Sequence, residues 1–302
     1  MDDKGVLEEN LEQEPNSDET QDTENEPTSD ETQDAENESS LQGELDTTRE
    51  MQRFYTLAKR QAWKVEQLSW GQIPPVPEGK GSSEKRARRM EIWRSVVTQQ
   101  LQADTLASLL SSQLLAAAPD LPGRLYYTTM VQDEGRHAEA WLKLVAEVGG
   151  MSEPNPHLVR LGELTMNADT IEEKVWFFQV IFEGLVIDKF RQIASAAPNT
   201  VLAELCNRLT IDDGVHHGAG VSYEQHLLRR ASPRTRRAIE RMSLEMWPLY
   251  AEHLLWRPNA RSWANSAMHA RDIAALKDTL RQSMKLARKV GLNIDLPPLF
   301  SD

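Results

Sequence analysis

The chain has 302 residues, 39% of them hydrophobic, and a formal charge of −13, enough to build one large domain or two small ones. A single cysteine, Cys206, excludes an internal disulfide. The absence of any run of about 18 apolar residues excludes a membrane-spanning helix.

The charge is unevenly placed. Residues 1–50 hold 19 Asp/Glu against 2 Lys/Arg, a net of −17, while the remainder holds 28 against 32, a net of +4. SDETQDTENE at Ser17–Glu26 recurs as SDETQDAENE at Ser29–Glu38, a 12-residue repeat, and no aromatic residue precedes Phe54. Such a segment lacks the apolar surface to offset its ordering entropy, so residues 1–50 are read as a disordered, solubilising acidic tail and 51–302 as a single helical domain. The N-terminus has no basic stretch followed by an apolar one, as a secretory signal would. With the lone cysteine, this predicts a cytoplasmic protein. The arginines of 229–241 read as a solvated helix end rather than a nucleic-acid surface.

From Phe54 onward apolar residues recur at i, i+3 and i+4, and alternating β-branched runs are missing. A short helix is expected over Arg49–Gln67. A loop rich in glycine and proline follows, with Gly71, Pro74, Pro75, Pro77, Gly79 and Gly81. Ser82 or Ser83 can cap the next helix, which runs to about Ala117 and is broken by PDLPG at Pro119–Gly123. A second long helix covers about Leu121 to Val148 and stops at Gly149-Gly150. A short helix at His157–Asn167 precedes a third long one, Thr170–Ala196, and a fourth, Asn199–Arg230. Helices over Arg234–Leu255 and Ala260–Val290 complete the domain, with an irregular end at NIDLPPLFSD. Four long helices with accessory helices predict an all-α four-helix bundle, an architecture that places metal sites between facing helices.

The chemistry concentrates in a repeated pattern. Asp133-Glu134-Gly135-Arg136-His137 on the second long helix aligns with Asp212-Asp213-Gly214-Val215-His216 on the fourth. The i, i+3 spacing puts each carboxylate and imidazole on one helix face. The other two long helices each bury an acid in an apolar stretch, Asp104 in VVTQQLQADTLASLL and Glu183 in VWFFQVIFEGLVIDKF. A carboxylate there is costly unless paired or metal-bound. Thirty residues separate Asp104 from Glu134, and thirty separate Glu183 from Asp213. Each half of the bundle thus supplies one acid and then an acid-x-x-His pair. Glycine follows Glu134, Glu183 and Asp213, and Gly218 and Gly220 lie further along. Ordinary helix packing accounts for these glycines, and so does close helix approach or room for a bound molecule.

The DEGRH stretch, its partner motif and the segment AKRQAWKVEQLSW at Ala58–Trp70 together resemble the ferritin-like di-iron carboxylate superfamily. The likeness is to the branch of the bacterial multicomponent monooxygenases and ribonucleotide reductase small subunits, and it covers about residues 52–260. It implies a ferritin-like bundle with Asp104, Glu134, His137, Glu183, Asp213 and His216 as ligands of two iron ions, with manganese or a mixed Mn/Fe pair as variants. That ligand set suits iron or manganese. Asp133 and Asp212 would orient the histidines and Arg136 would be a nearby charge partner. His217, also one turn from Asp213, is a rival to His216. Asp213 stands where the superfamily usually has Glu, and Val215 where the second motif usually has Arg.

The resemblance implies an oxygen-dependent non-haem oxidoreductase that oxidises a small or lipid-like organic substrate by hydroxylation, desaturation or N-oxygenation. It would use dioxygen and an external electron donor, and work as a homodimer. Two alternatives stand beside it. One is a radical-generating subunit like that of ribonucleotide reductase; the other is a non-catalytic metal-binding or structural helical protein. Trp141 occupies the position, four residues after His137, where reductase subunits carry the radical tyrosine. It is therefore a candidate pocket-lining or redox residue, and it favours the oxygenase reading. Tyr126, Tyr127 and Tyr223 remain as other tyrosines near the motifs, and Trp176-Phe177-Phe178 is expected in the core.

Overall fold

A computed structural model describes residues 29–70, 83–198, 200–256 and 267–294, and every regular element among them is helical. The chain divides into two compact units, 1–41 and 42–302. The described part of the first, 29–41, is helix; everything that concerns the site lies in the second.

The first helix, α1, is Ser29–Gln61. Residues 29–50 are therefore helical where an irregular acidic tail was expected. Glu, Gln, Ala and Leu favour the helical backbone. Residues 1–28, which hold the first copy of the repeat, lie outside the described residues. The helix also stops six residues before the expected Gln67. A short 3₁₀ turn at Val65–Gln67 follows, closed by the Gln67 side chain accepting from the Lys64 N–H at 2.9 Å. This turn buries Trp63, Val65 and Leu68.

The bundle is built from α2 (Ser83–Ala117), α3 (Leu121–Glu147), a third long helix in segments, and α7 (Thr200–Arg230). Asp120 caps α3, accepting from the Gly123 N–H at 2.7 Å. The turn of Ala118 to Asp120 is so short that α2 and α3 must run antiparallel. Gly149 and Gly150 end this pair in the left-handed region, with φ of 80° and 104°, conformations that favour glycine. Asn155 caps α4 (Pro156–Met166), as the ProAsnPro sequence suggests.

The third long helix differs from a plain α-helix. It opens as α5 (Ile171–Val175) behind a capping box of Thr170 and Glu173, widens into a π-helical stretch at Trp176–Phe182, and resumes as α6 (Glu183–Ala196). The π stretch ends immediately before Glu183. A Cβ on Gly220 of α7 would lie 2.3 Å from the Cβ of Gln179, so α7 carries glycine where the widened turn presses against it. π segments in helices are often found at functional sites.

α2 packs along α3, and α6 along α7. α8 (Pro233–Leu255) and α9 (Ala267–Lys289) cover the third helix from outside. Residues 257–266 and 295–302, on which the expected start of the last helix and most of the irregular end fall, lie outside the described residues. Two apolar clusters fill the bundle. One contains Phe54, Tyr126, Tyr127, Met130 and Tyr223; the other contains Trp63, Trp141, Phe190 and Leu205. Between them, Asp133, Glu134, Arg136 and His137 form a buried polar layer on α3. Among the described residues no helix is long and apolar enough to cross a membrane.

Candidate metal centre

All six predicted ligands are buried and face one another across the four bundle helices. Glu134, Glu183, Asp213 and His216 each offer a ligand atom, and those atoms lie within 4.8 Å of one another. Glu134 sits between the two histidines: Oε2 is 3.4 Å from His137 Nδ1 and Oε1 is 3.1 Å from His216 Nδ1. Asp213, despite its shorter arm, also reaches the centre. Its Oδ1 is 3.7 Å from His216 Nδ1 and 3.9 Å from His137 Nδ1. Glu183 approaches His216 Nδ1 at 3.9 Å. Asp104 is buried rather than a surface residue, close enough to His137, Glu134 and Asp213 to feel their charges. The set divides into two halves, Asp104 with His137 and Glu183 with His216, and Glu134 and Asp213 lie between them.

The orienting acids cross over. Each histidine turns its Nε2 outward to the acid of the opposite motif, His137 to Asp212 Oδ2 at 3.0 Å and His216 to Asp133 Oδ2 at 3.3 Å. Each Nδ1 is thereby aimed inward, which is how a carboxylate partner fixes a ligand imidazole. Arg136 ties the two acids together, with Nη2 2.7 Å from Asp133 Oδ1 and 3.0 Å from Asp212 Oδ2. Val215, which replaces the second motif's arginine, is buried and belongs to the apolar core.

Sequence reasoning missed two supports. Trp63 donates its indole N–H to Asp212 Oδ2 at 2.8 Å, stacks on His137 and lies under the Arg136 guanidinium at 4.8 Å. Its signal was its place inside AKRQAWKVEQLSW. Gln179 donates to the His216 carbonyl at 3.2 Å and accepts from the Tyr127 hydroxyl at 2.8 Å. It is the one polar residue in WFFQVIF, which marked it as a group needing partners.

Two expectations are corrected. His217 turns its Nδ1 to the Gln179 carbonyl at 3.0 Å and lines a polar groove with Asp188 and Arg191. It is not a rival ligand, because successive residues on a helix point about 100° apart and His216 already faces the acids. Gly135 and Gly214 serve no close approach, since a Cβ at either would meet nothing within 4 Å. Gly184, Gly218 and Gly220 do face close neighbours, the ring of His217, the ring of Phe54 and Gln179.

The protonation pattern follows from burial and mutual charge. Burial pushes Asp104 and Glu183 well above the usual carboxylate range, and their carboxylate neighbours add to it. Burial raises Asp213 to about 7, against the pull of His137 and then His216. For Glu134 burial acts in the same sense, but the two imidazoles facing its oxygens outweigh it and hold the group near about 2. Burial would lower both histidines; Asp212 and Glu134 at His137, and Tyr126, then Asp133 and Glu134, at His216 overcome it and raise both well above the ordinary imidazole value.

Several inward atoms lack a hydrogen-bond partner: Asp104 Oδ2, Glu134 Oε1 and His216 Nδ1. The last two are 3.1 Å apart but are not aligned for a hydrogen bond. Orphaned buried acceptors are rare in folded proteins, and these converge on one space. A cation pair bound by four acids and two imidazoles satisfies them all, so the residues present fit a dinuclear metal group.

Trp141 is fully buried and stacks on Phe190 at 6.2 Å. Its indole favours the Asp104 carboxylate, yet its N–H makes no hydrogen bond of sound geometry. An apolar cavity of about 20 Å³ is lined by Ala103, Leu106, Phe177, Phe178, Phe182 and Tyr250. Ala103 precedes Asp104 and Phe182 precedes Glu183 in the chain, and none of the six predicted ligands lines the cavity itself. Phe177 and Phe178 therefore line space as well as core, while Trp176 is core alone.

Comparison with solved structures places this architecture. An R2-like ligand-binding oxidase with an aerobically reconstituted Mn/Fe cofactor matches at 21% identity over 83% of this chain and 87% of its own, with a TM-score of 0.54. A point variant with an anaerobically reconstituted Mn/Fe cofactor reaches a TM-score of 0.60 at 20% identity, over 77% and 92%. The chain has the fold of the R2-like ligand-binding oxidases. Another variant of that oxidase, reconstituted with Fe/Fe, matches at 21% identity and a TM-score of 0.53, over 81% of this chain and 86% of its own. No family model matches the chain, and no curated protein does. The R2-like fold bears out the ferritin-like all-α bundle expected from the sequence.

Proposed function

We propose that the protein is a non-haem dinuclear metal oxidase or oxygenase. It holds two iron ions, or a manganese–iron pair, and uses dioxygen and an external electron donor to oxidise a small apolar, lipid-like substrate. The observation that carries this reading is the Glu134 carboxylate, with one oxygen toward each inward-facing histidine and the buried Asp104, whose Oδ2 has no partner, and Glu183 on either side. The solved structures of the same fold, with Mn/Fe and Fe/Fe cofactors, support the choice of metals.

Asp104 and His137 would hold one ion and Glu183 and His216 the other, with Glu134 and Asp213 shared. When bound, the metal pair supplies dioxygen binding and the oxidising equivalents. The protein's own residues do the rest. Asp133, Asp212 and Arg136 fix the two imidazoles so that no reorientation is needed as charge develops. Trp141, Phe178 and Phe182 keep water from the centre. The cavity beside Ala103 and Phe182 has no polar side chain but Thr165 and the Tyr250 hydroxyl, and from about 20 Å³ it would widen to admit an apolar group. The Tyr250 hydroxyl is already committed to the Phe177 carbonyl at 2.7 Å, which leaves hydrocarbon as the matching ligand surface.

Anaerobic loading with Fe(II), alone or with Mn(II), followed by exposure to dioxygen, tests the reading. Oxygen uptake and a new near-visible absorption are expected from the wild type and should be lost in Glu183→Ala. A wild-type chain that binds metal but consumes no oxygen sinks the proposal.

A further inference from the structure

Three buried tyrosines stand ring to ring in succession, the last of them bonded to a carboxylate. Tyr126 lies eight residues before Glu134 on the same face of α3 and is completely buried. It is close enough to His216, Asp133, Glu183 and Glu134 for their charges to act on it. Its ring is 5.4 Å from that of Tyr127, and Tyr127 is 6.1 Å from Tyr223, both edge-on. These centroid separations put neighbouring rings in van der Waals contact, where aromatic groups exchange electrons readily. Tyr223 lies seven residues beyond His216 on α7, about 10 Å along the helix axis.

The three hydroxyls are not equivalent. A tyrosine that gives up an electron must also shed its phenolic proton, because the cation radical is a very strong acid. Tyr126 Oη has no hydrogen-bond partner. Tyr127 donates to the amide oxygen of Gln179, a poor base. Tyr223 donates to Asp120 Oδ2 at 2.6 Å, the short distance of a hydroxyl bonded to a carboxylate. Space for this contact is made at Gly123, where a Cβ would lie 2.6 Å from the Tyr223 hydroxyl. Asp120 keeps its other oxygen on the Gly123 N–H as the cap of α3.

We infer that Tyr126, Tyr127 and Tyr223 form an electron route into the metal centre, and that the Tyr223–Asp120 pair is where an unused oxidising equivalent comes to rest. This rests on the oxidase reading above. The oxidant is the dioxygen-oxidised metal pair, which gains one electron. Tyr223 loses that electron by way of Tyr127 and Tyr126. Its O–H bond breaks, and the proton forms a new O–H bond on Asp120 Oδ2. The products are a neutral phenoxyl radical and a neutral carboxylic acid, joined by the same hydrogen bond with its direction reversed. A one-electron reductant restores Tyr223 as Asp120 returns the proton. When no organic substrate occupies the cavity, the route would carry oxidising power away from the buried ligands.

The test uses the full chain, loaded anaerobically with Fe(II), exposed to dioxygen without organic substrate, and frozen for electron paramagnetic resonance. A tyrosyl radical signal is expected, narrowed by ring-deuterated tyrosine, and lost in both Tyr223→Phe and Asp120→Asn. Asparagine caps a helix as well as aspartate does, so the second variant removes the base while keeping the fold; melting temperatures check both variants. An unchanged radical in either folded variant overturns the route. A wild type that binds metal and consumes oxygen without forming a tyrosyl radical overturns it and leaves the oxidase reading standing. A wild type that binds no metal overturns both.

Discussion

Asp212→Asn isolates the support beneath the centre from the ligands themselves. The change is isosteric, yet Asp212 Oδ2 receives three contacts: the Trp63 indole at 2.8 Å, Arg136 at 3.0 Å and His137 Nε2 at 3.0 Å. Hydrogen bonding to His137 and the charges of His137 and His216 overcome the effect of burial and hold this acid low, at about 2, so it is ionised at neutral pH. The amide removes that charge and leaves His137 without the partner that turns its Nδ1 inward. Loss of such a support typically costs 10–100-fold in metal affinity, about 1.4–2.7 kcal/mol. Fold stability falls as well, by about 1–3 kcal/mol, because Arg136 keeps Asp133 at 2.7 Å and is not left unpaired. Chelator competition on the metal-free protein reads the first quantity, and thermal unfolding without metal reads the second. Affinity within two-fold of wild type, with the expected loss of stability, would show that Asp212 only holds Arg136 and would refute its role in positioning His137.

Other perturbations separate site from scaffold. His217→Ala is expected to keep the full metal stoichiometry, measured by inductively coupled plasma spectrometry, because the ring faces the Gln179 carbonyl and not the acids; loss of one ion would restore it as a ligand. Glu224 is fully buried with neither oxygen hydrogen-bonded, and burial followed by the charge of Glu172 raises it well above the carboxylate range. A raised acid favours folding below its unfolded value near 4.5 and loses that advantage as pH rises toward its folded value. Glu224→Gln should therefore flatten the pH dependence of unfolding, with a larger gain in stability at pH 8 than at pH 5; equal melting shifts at both pH values would contradict this. Gly220→Ala places a Cβ against Gln179 and should cost about 1–3 kcal/mol by overpacking. Unchanged thermal unfolding would mean that the π turn yields freely.

Much of the fold was legible because helical periodicity is strong and punctuated. Gly149-Gly150, the prolines after Ala117 and the serine before Pro233 each marked a boundary that the structure keeps within a few residues. The buried acids of the candidate centre were legible because an acid inside VVTQQLQADTLASLL or VWFFQVIFEGLVIDKF has no inexpensive alternative to pairing. What pattern could not supply was the partner across the interface. The crossing of Asp133 to His216 and Asp212 to His137 depends on how α3 and α7 pack, and the spacing within one motif is silent on it. The π turn escaped for the same reason: hydrophobic periodicity over six apolar residues and one glutamine does not distinguish a wide turn from a normal one. Trp63 was missed because its partner lies 149 positions away.

The central claim is that two metal ions share Glu134 and Asp213. Anomalous scattering from crystals of the metal-loaded protein, collected at the iron and manganese edges, tests it most directly. Two peaks are expected about 3.5–4 Å apart, one toward Asp104 and His137 and the other toward Glu183 and His216, with Glu134 reaching both. A single peak, or metal bound away from these six side chains, would contradict the account.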